Sequence, residues 1–200
     1  MTDYVNRIAD QLQKRLFVEM EASGRHVHLS KADAMALFGH NLTEKAPLSQ
    51  PGQFVCHERV TLVGPKGKLE RVAVLGPCRD ETQAEVSLTD SVALGIQVPV
   101  NLSGNLDGAP GITVVGQLGQ VEGKAICAMR HMHMTPEDAS LHGLKNGSTV
   151  DVRAVTERPV VFCDVAVRVS DKFSTRLHLD YDEANSCRFQ KGDLGMILHG

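Results

Sequence analysis

The sequence predicts a mainly β protein with short helices, built as two β-barrel domains from an internal repeat. Three observations predict it. The apolar runs are short, rich in Val and punctuated by Gly and Pro, which suits strands better than helices. Trp is absent and Tyr and Phe are few, so a core must be assembled from Val, Leu, Ile and Ala. A ten-residue segment of the first half also returns in the second.

That segment is Arg25-His26-Val27-His28-Leu29-Ser30-Lys31-Ala32-Asp33-Ala34, which returns as Arg130-His131-Met132-His133-Met134-Thr135-Pro136-Glu137-Asp138-Ala139. The Arg, both His, the Asp and the Ala are identical, and an aliphatic and a hydroxyl position keep their type. A fainter echo lies downstream in each half. Residues 82–87 (Thr-Gln-Ala-Glu-Val-Ser) resemble residues 175–180 (Thr-Arg-Leu-His-Leu-Asp), which sets Glu85 opposite His178.

Taken in chain order, residues 3–16 place Tyr4, Val5, Ile8, Leu12 and Leu16 at helical spacing and predict an amphipathic helix. Residues 1–18 are therefore set apart as an N-terminal helical segment, with barrels over 19–104 and 105–200. In each His-x-His stretch the two imidazoles project to one face of a strand. Ser30 and Thr135 are N-cap residues for a short helix, and Pro136 suits its first turn. Residues 60–63 and 69–75 flank a Gly64-Pro65-Lys66-Gly67 hairpin signal. Residues 92–100, 150–155 and 160–169 read as further strands, the last two around a turn at Glu157-Arg158-Pro159. The loop over 104–111 reads as the connection between the barrels.

Composition excludes several classes. A net charge of −3 offers no basic surface for nucleic acid or an anionic membrane. No apolar run approaches the ~20 residues that a bilayer requires, and no secretory signal opens the chain. The five cysteines are scattered without a C-x-x-C pair, as expected of plain thiols in a reducing compartment. Neither a P-loop nor a G-x-S-x-G elbow is present.

The repeat carries the chemistry. One His-x-His is weak evidence of a ligand pair; two in equivalent contexts, joined by Glu85 and His178, supply six donors. Three donors per ion leave a coordination position open, as catalytic zinc sites do. The expected metal ligands are thus His26, His28, Glu85, His131, His133 and His178, meeting at a di-metal site between the barrels. Arg79, six residues before Glu85, is suited to clamp phosphate or an oxyanion. Arg25 and Arg130 lie on the opposite strand face and read as structural.

The segments 23–30 (Ser-Gly-Arg-His-Val-His-Leu-Ser), 48–54 (Leu-Ser-Gln-Pro-Gly-Gln-Phe), 74–79 (Val-Leu-Gly-Pro-Cys-Arg), 82–85 (Thr-Gln-Ala-Glu) and 178–185 (His-Leu-Asp-Tyr-Asp-Glu-Ala-Asn) resemble the motifs of the PduL-type phosphate propanoyltransferases. These are the phosphotransacylases of bacterial microcompartments, and the resemblance spans residues 20–200. It implies two helix-capped β-barrels and reversible conversion of propanoyl-CoA or acetyl-CoA and inorganic phosphate to acyl phosphate and CoA. It implies two divalent ions, usually Zn2+, on the six residues named, and Arg79 as the catalytic arginine. Ser23, Lys45, Leu75 and Asn185 fall on its coenzyme A contacts, while Val92 stands where an aromatic residue is expected. The implied partners are coenzyme A, acyl-CoA, phosphate and microcompartment shell proteins, with a homo-oligomer admitted. The implied location is the microcompartment lumen or the cytoplasm. The N-terminal helix then reads either as packing on the first barrel or as an encapsulation segment. Two alternatives stay open for the site: a metallohydrolase, and a non-enzymatic module in which metals staple two barrels.

Overall fold

The computed structural model describes residue 6 and residues 15–198. The helix expected over residues 3–16 lies outside the described residues, save Asn6, Arg15 and Leu16, which are helical. Phe17 and Val18, assigned to that segment by sequence, instead open strand β1 (Phe17–Ser23), where Val18 and Met20 are buried.

The chain divides into two compact units. The first comprises Gly24–Met129 with Asp180–Asp182. The second comprises the described residues of Met1–Ser23 with Arg130–Leu179 and Glu183–Gly200. This differs from a division at 104/105, and the reason lies in strand pairing. In the first unit, β2 (His26–Ser30) lies between β5 (Lys68–Arg79), parallel to it, and β6 (Gln83–Glu85), antiparallel. β4 (Phe54–Val63) pairs with β5, with β3 (Glu44–Pro47) outside it. β8 (Gly111–Val115) and β9 (Gln120–Ala128) then join β4 to β6, and short β7 (Val100–Asn101) pairs with β9. Residues 105–128 therefore belong to the first unit.

The second unit is a closed barrel in the order β1, β13 (Arg176–Asp180), β10 (His131–Met134), β12 (Val161–Val169), β11 (Thr149–Val155), β14 (Leu194–Leu198). The path β9-β6-β2-β5-β4-β8 in the first unit has the same pairing. Register agrees as well: His26 faces Ala73 and Glu85 as His131 faces Ala166 and His178. The internal repeat is thus a repeat of strand order and of register. The strands before the two His-x-His segments are exchanged: β1 runs into β2 but closes the second unit, and β9 runs into β10 but closes the first.

Alternation sets the cores. Val27 and Leu29 are wholly buried in a cluster with Val60, Leu62 and Val74, and Met132 and Met134 in one with Val152, Val165 and Leu177. The histidines between them take the other face. Helices α1 (Lys31–Phe38) and α3 (Pro136–Leu141) start on Ser30 and Thr135, whose hydroxyls accept from Asp33 N at 3.0 Å and Asp138 N at 3.1 Å. The 64–67 hairpin forms, with Gly64 N donating to Gly67 O at 2.9 Å. Residues 92–94 are not strand: they end helix α2 (Leu88–Leu94), which Ser87 and Asp90 start with a reciprocal capping box. The Ser-x-x-Asp spacing outweighs the apolar run. Helix α4 (Tyr181–Ser186) comes directly after β13. No helix among the described residues is long and apolar enough to cross a membrane.

Candidate metal centres

Each unit assembles one triad from the β-ladder that carries its His-x-His strand. In the first, β2 supplies His26 and His28, and β6, antiparallel beside it, supplies Glu85. His26 Nε2 lies 3.5 Å from Glu85 Oε2, and His28 Nε2 3.7 Å from Glu85 Oε1. In the second, the His131 ring stacks on His178 at 5.0 Å, and His133 meets His178 edge-on at 4.9 Å. In each set the candidate donor atoms lie within 4.8 Å of one another, and all but His178 are buried. The alignment of Glu85 with His178 is therefore borne out in register.

These residues fit a divalent cation. Nδ1 of His28 and Nδ1 of His133, equivalent atoms in the two repeats, are buried without a hydrogen-bond partner. A buried polar atom left so costs about 1–3 kcal/mol, and the cost recurs on the equivalent histidine of each triad. Burial, with His26 and Arg79 nearby, lowers the His28 pKa to about 3. Burial, with His131 and Arg168 nearby, does the same to His133. Both are neutral imidazoles at pH 7, the form that binds metal. His26 differs. Burial disfavours its charge, yet adjacent Glu85 outweighs that and raises it. Burial alone would raise Glu85, but His26 and hydrogen bonds hold it well below the carboxylate range. Nδ1 of His26 lies 2.8 Å from the Gly24 carbonyl. As a donor there it turns Nε2 toward Glu85, an orientation typical of ligating histidines.

A polar network surrounds Glu85. Gln83 Nε2 donates to its Oε1 at 2.6 Å and the Ser103 hydroxyl at 2.5 Å. Arg79, the last residue of β5, donates through Nη1 to Ser103 Oγ at 2.8 Å, with that nitrogen 4.0 Å from Glu85 Oε1. Gly104 N donates to Gln83 Oε1 at 3.0 Å. A connection between the barrels was expected at 104–111; the loop from β7 to β8 instead stays in the first unit and folds onto this site through Ser103 and Gly104. Sequence reasoning missed Ser103 and Gln83. For Gln83 a signal existed, since it stands two residues before Glu85 on a strand and shares its face. Ser103 comes from a loop with no periodicity to read.

Of the residues assigned to coenzyme A, Leu75 is half-buried opposite His28 in the β2–β5 ladder, and Lys45 is exposed on β3. Ser23 ends β1 and Asn185 is exposed on α4, both in the second unit. Val92 is 76% exposed. Arg25 and Arg130 pair with Asp90 and Glu183, as their structural reading expects. All five cysteines are free thiols. Burial pushes Cys56 up to about 12 and raises Cys78 and Cys187, while Asp151 raises Cys163, so these four stay protonated.

A family profile described as phosphate propanoyltransferase matches residues 19–190. A phosphate propanoyltransferase of Clostridioides difficile (strain 630) is 46% identical over 202 residues, covering 99% of this chain and 97% of the relative. One of Enterococcus faecalis is 48% identical over 206 residues, covering 98% of each. One of Thermotoga maritima is 44% identical, covering 97% of this chain and 95% of the relative. With the motifs, the register and near-complete coverage in agreement, the chain belongs to the phosphate propanoyltransferase family of acyltransferases.

Proposed function

We propose that this enzyme reversibly converts propanoyl-CoA or acetyl-CoA and inorganic phosphate to acyl phosphate and CoA, using two divalent ions, with zinc the first candidate. The observation that carries the proposal is the pair of register-matched triads, one of which has Arg79 at its edge. His26, His28 and Glu85 would hold one ion, and His131, His133 and His178 the other. Such ions, when bound, supply Lewis acidity toward phosphate or thioester oxygen. The shared di-metal site expected between the barrels is part of this proposal, and it requires that loss of either triad stop turnover.

In the reaction a phosphate oxygen bonds to the acyl carbon, the carbon–sulfur bond breaks, and CoA leaves as the thiolate. Arg79 places a fixed positive charge beside the first triad, where it would stabilise the oxyanion on the acyl carbon, a role often worth 10²–10³-fold in rate. Ser103 and Gln83 hold the Glu85 carboxylate in place. The raised pKa values of four cysteines argue against a thiolate acyl-enzyme there and favour direct transfer. Ser23, Lys45, Leu75 and Asn185 are the proposed coenzyme A contacts.

The deciding experiment measures CoA release from acetyl-CoA and propanoyl-CoA, with and without phosphate, before and after chelation. Phosphate-dependent release that chelation abolishes supports the transferase. Phosphate-independent release means a metallohydrolase, and no release means a structural staple. The proposal extends to residence in a microcompartment lumen, with residues 1–16 as the encapsulation segment docking on shell proteins. Removal of residues 1–14 leaves β1 whole, so loss of shell association with activity intact supports it, and loss of solubility opposes it.

A further inference from the structure

Each His-x-His strand is preceded by an arginine, and each arginine reaches the helix that comes after the third ligand. Arg25 Nη2 lies 2.8 Å from Asp90 Oδ1, and Arg130 Nη1 lies 2.5 Å from Glu183 Oε1. Asp90 stands five residues beyond Glu85, and Glu183 five beyond His178. The two pairs are therefore one contact made twice. Arg130 also donates through Nε to the Cys163 carbonyl in β12 at 2.8 Å, which ties in the strand on the other side of β10.

The far end of each ladder is closed in both repeats too. Ser30 N donates to Thr82 Oγ1 at 3.0 Å, and the Thr82 hydroxyl donates to Asp33. Thr135 N donates to Thr175 Oγ1 at 3.2 Å, and the Thr175 hydroxyl donates to Asp138. The ligand pairs His26–Glu85 and His131–His178 sit between these closures.

We infer that Arg25 and Arg130 are positioning residues: with Asp90 and Glu183 they lock the register of the ladder bearing each triad and so preset its donor atoms for a divalent ion. This rests on reading the triads as metal centres. A one-residue slip turns every side chain to the opposite face. β6 has only 3 residues and β10 only 4, so few ladder bonds hold register where the ligands are. Both arginines are part-exposed, and such pairs add little to global stability. Their recurrence at one offset, with different acids on helices of different length, points instead to local geometry.

The test titrates zinc into the metal-stripped full chain in competition with a chromophoric chelator. Wild type takes up two equivalents. Arg130→Met weakens one equivalent by about 10–100-fold, the range for groups that orient ligands, and leaves the other unchanged. Arg25→Met weakens the other one. Arg130→Lys and Arg25→Lys recover part of the loss, and the thermal midpoints of the metal-free variants stay near wild type. If a Met variant does not fold, Glu183→Gln and Asp90→Asn make the same comparison from the acid side. Wild-type affinity for both equivalents in every variant overturns the inference and leaves the metal centres standing. Weakening of both equivalents together, in step with falling thermal midpoint, also overturns it. A wild-type chain that binds no zinc overturns the metal reading, and this inference with it.

Discussion

His26, His28 and Glu85 in the first unit correspond, ladder position by ladder position, to His131, His133 and His178 in the second. The two triads differ in one donor, and their surroundings differ with it. A carboxylate at the third position would leave a bound divalent ion and its ligands with one positive charge rather than two. It also offers acceptor lone pairs, which gather Gln83 and Ser103, with Arg79 at the edge. Around the imidazole at that position the neighbours are rings: His131 stacks on His178, and Phe173 lies 4.1 Å from His133. One scaffold thus presents a polar, arginine-edged centre in one unit and an aromatic one in the other. Register sets where the donors are, and the third residue sets what else can approach.

The sharpest way to break this correspondence is to delete donors. His131→Ala with His133→Ala should remove one metal equivalent and reduce turnover to background. His26→Ala with His28→Ala should remove the other with the same effect on turnover. Metal analysis and phosphate-dependent CoA release read both. Substantial activity with either triad gone would mean that only one centre works in the reaction.

Next in size is Arg79, the cation at the edge of the first triad. Arg79→Ala should lower kcat by about 10²-fold with normal metal content, because in the proposed reaction the charge it supplies would count most in the transition state. Arg79→Lys should rescue little, since an ammonium lacks the two-point guanidinium contact. A loss confined to the phosphate KM would instead assign Arg79 to ground-state binding. Near-normal kcat and KM with full metal would remove it from the site.

Glu85→His makes the first triad chemically like the second. It retains three donors but takes from Gln83 and Ser103 the acceptor they share. Metal affinity at that centre should fall by about 10–100-fold, as when ligand-orienting bonds are lost, with the second centre unchanged. Unaltered affinity would mean that the network serves something other than the ligand.

The smallest effect concerns acid and the metal-free protein. His28 and His133, held near 3 in the folded chain, bind protons more readily when unfolded. Their contribution to stability is therefore full above about pH 6.5 and declines as pH falls from there toward 3, by up to about 1.4 kcal/mol per pH unit for each histidine. Glu85, held low, adds a loss in the same direction as pH falls through the carboxylate range. His26 is raised, so its contribution is complete below 6.5 and fades only as pH rises. Thermal midpoints between pH 7 and pH 4.5 should fall, and His28→Asn or His133→Asn should flatten the slope to a similar degree. A flat profile in the unmodified protein would contradict burial of neutral imidazoles.

By itself the sequence determined the candidate ligands and the local shapes around them. The His-x-His spacing puts two imidazoles on one strand face, Ser30 and Thr135 cap the helices that begin at Lys31 and Pro136, and the repeat aligns Glu85 with His178. Each depends only on chain periodicity or on neighbours a few residues away. Tertiary structure alone decided which strands complete each unit. β1 and β9 both carry the alternation of a half-buried strand, and alternation says that a face is buried, not against which sheet. Their exchange moved the unit boundary to the residues just before each His-x-His strand. Structure also decided that Ser103 donates to Glu85, since a loop residue's partner depends on where the loop returns. At Ser87 local polar bonds and hydrophobic pattern disagree: the apolar run at 92–100 reads as strand, but the Ser-x-x-Asp cap starts a helix that takes in residues 92–94. The identity of the candidate donors was written in the sequence, whereas the company they keep depends on contacts between segments far apart in the chain.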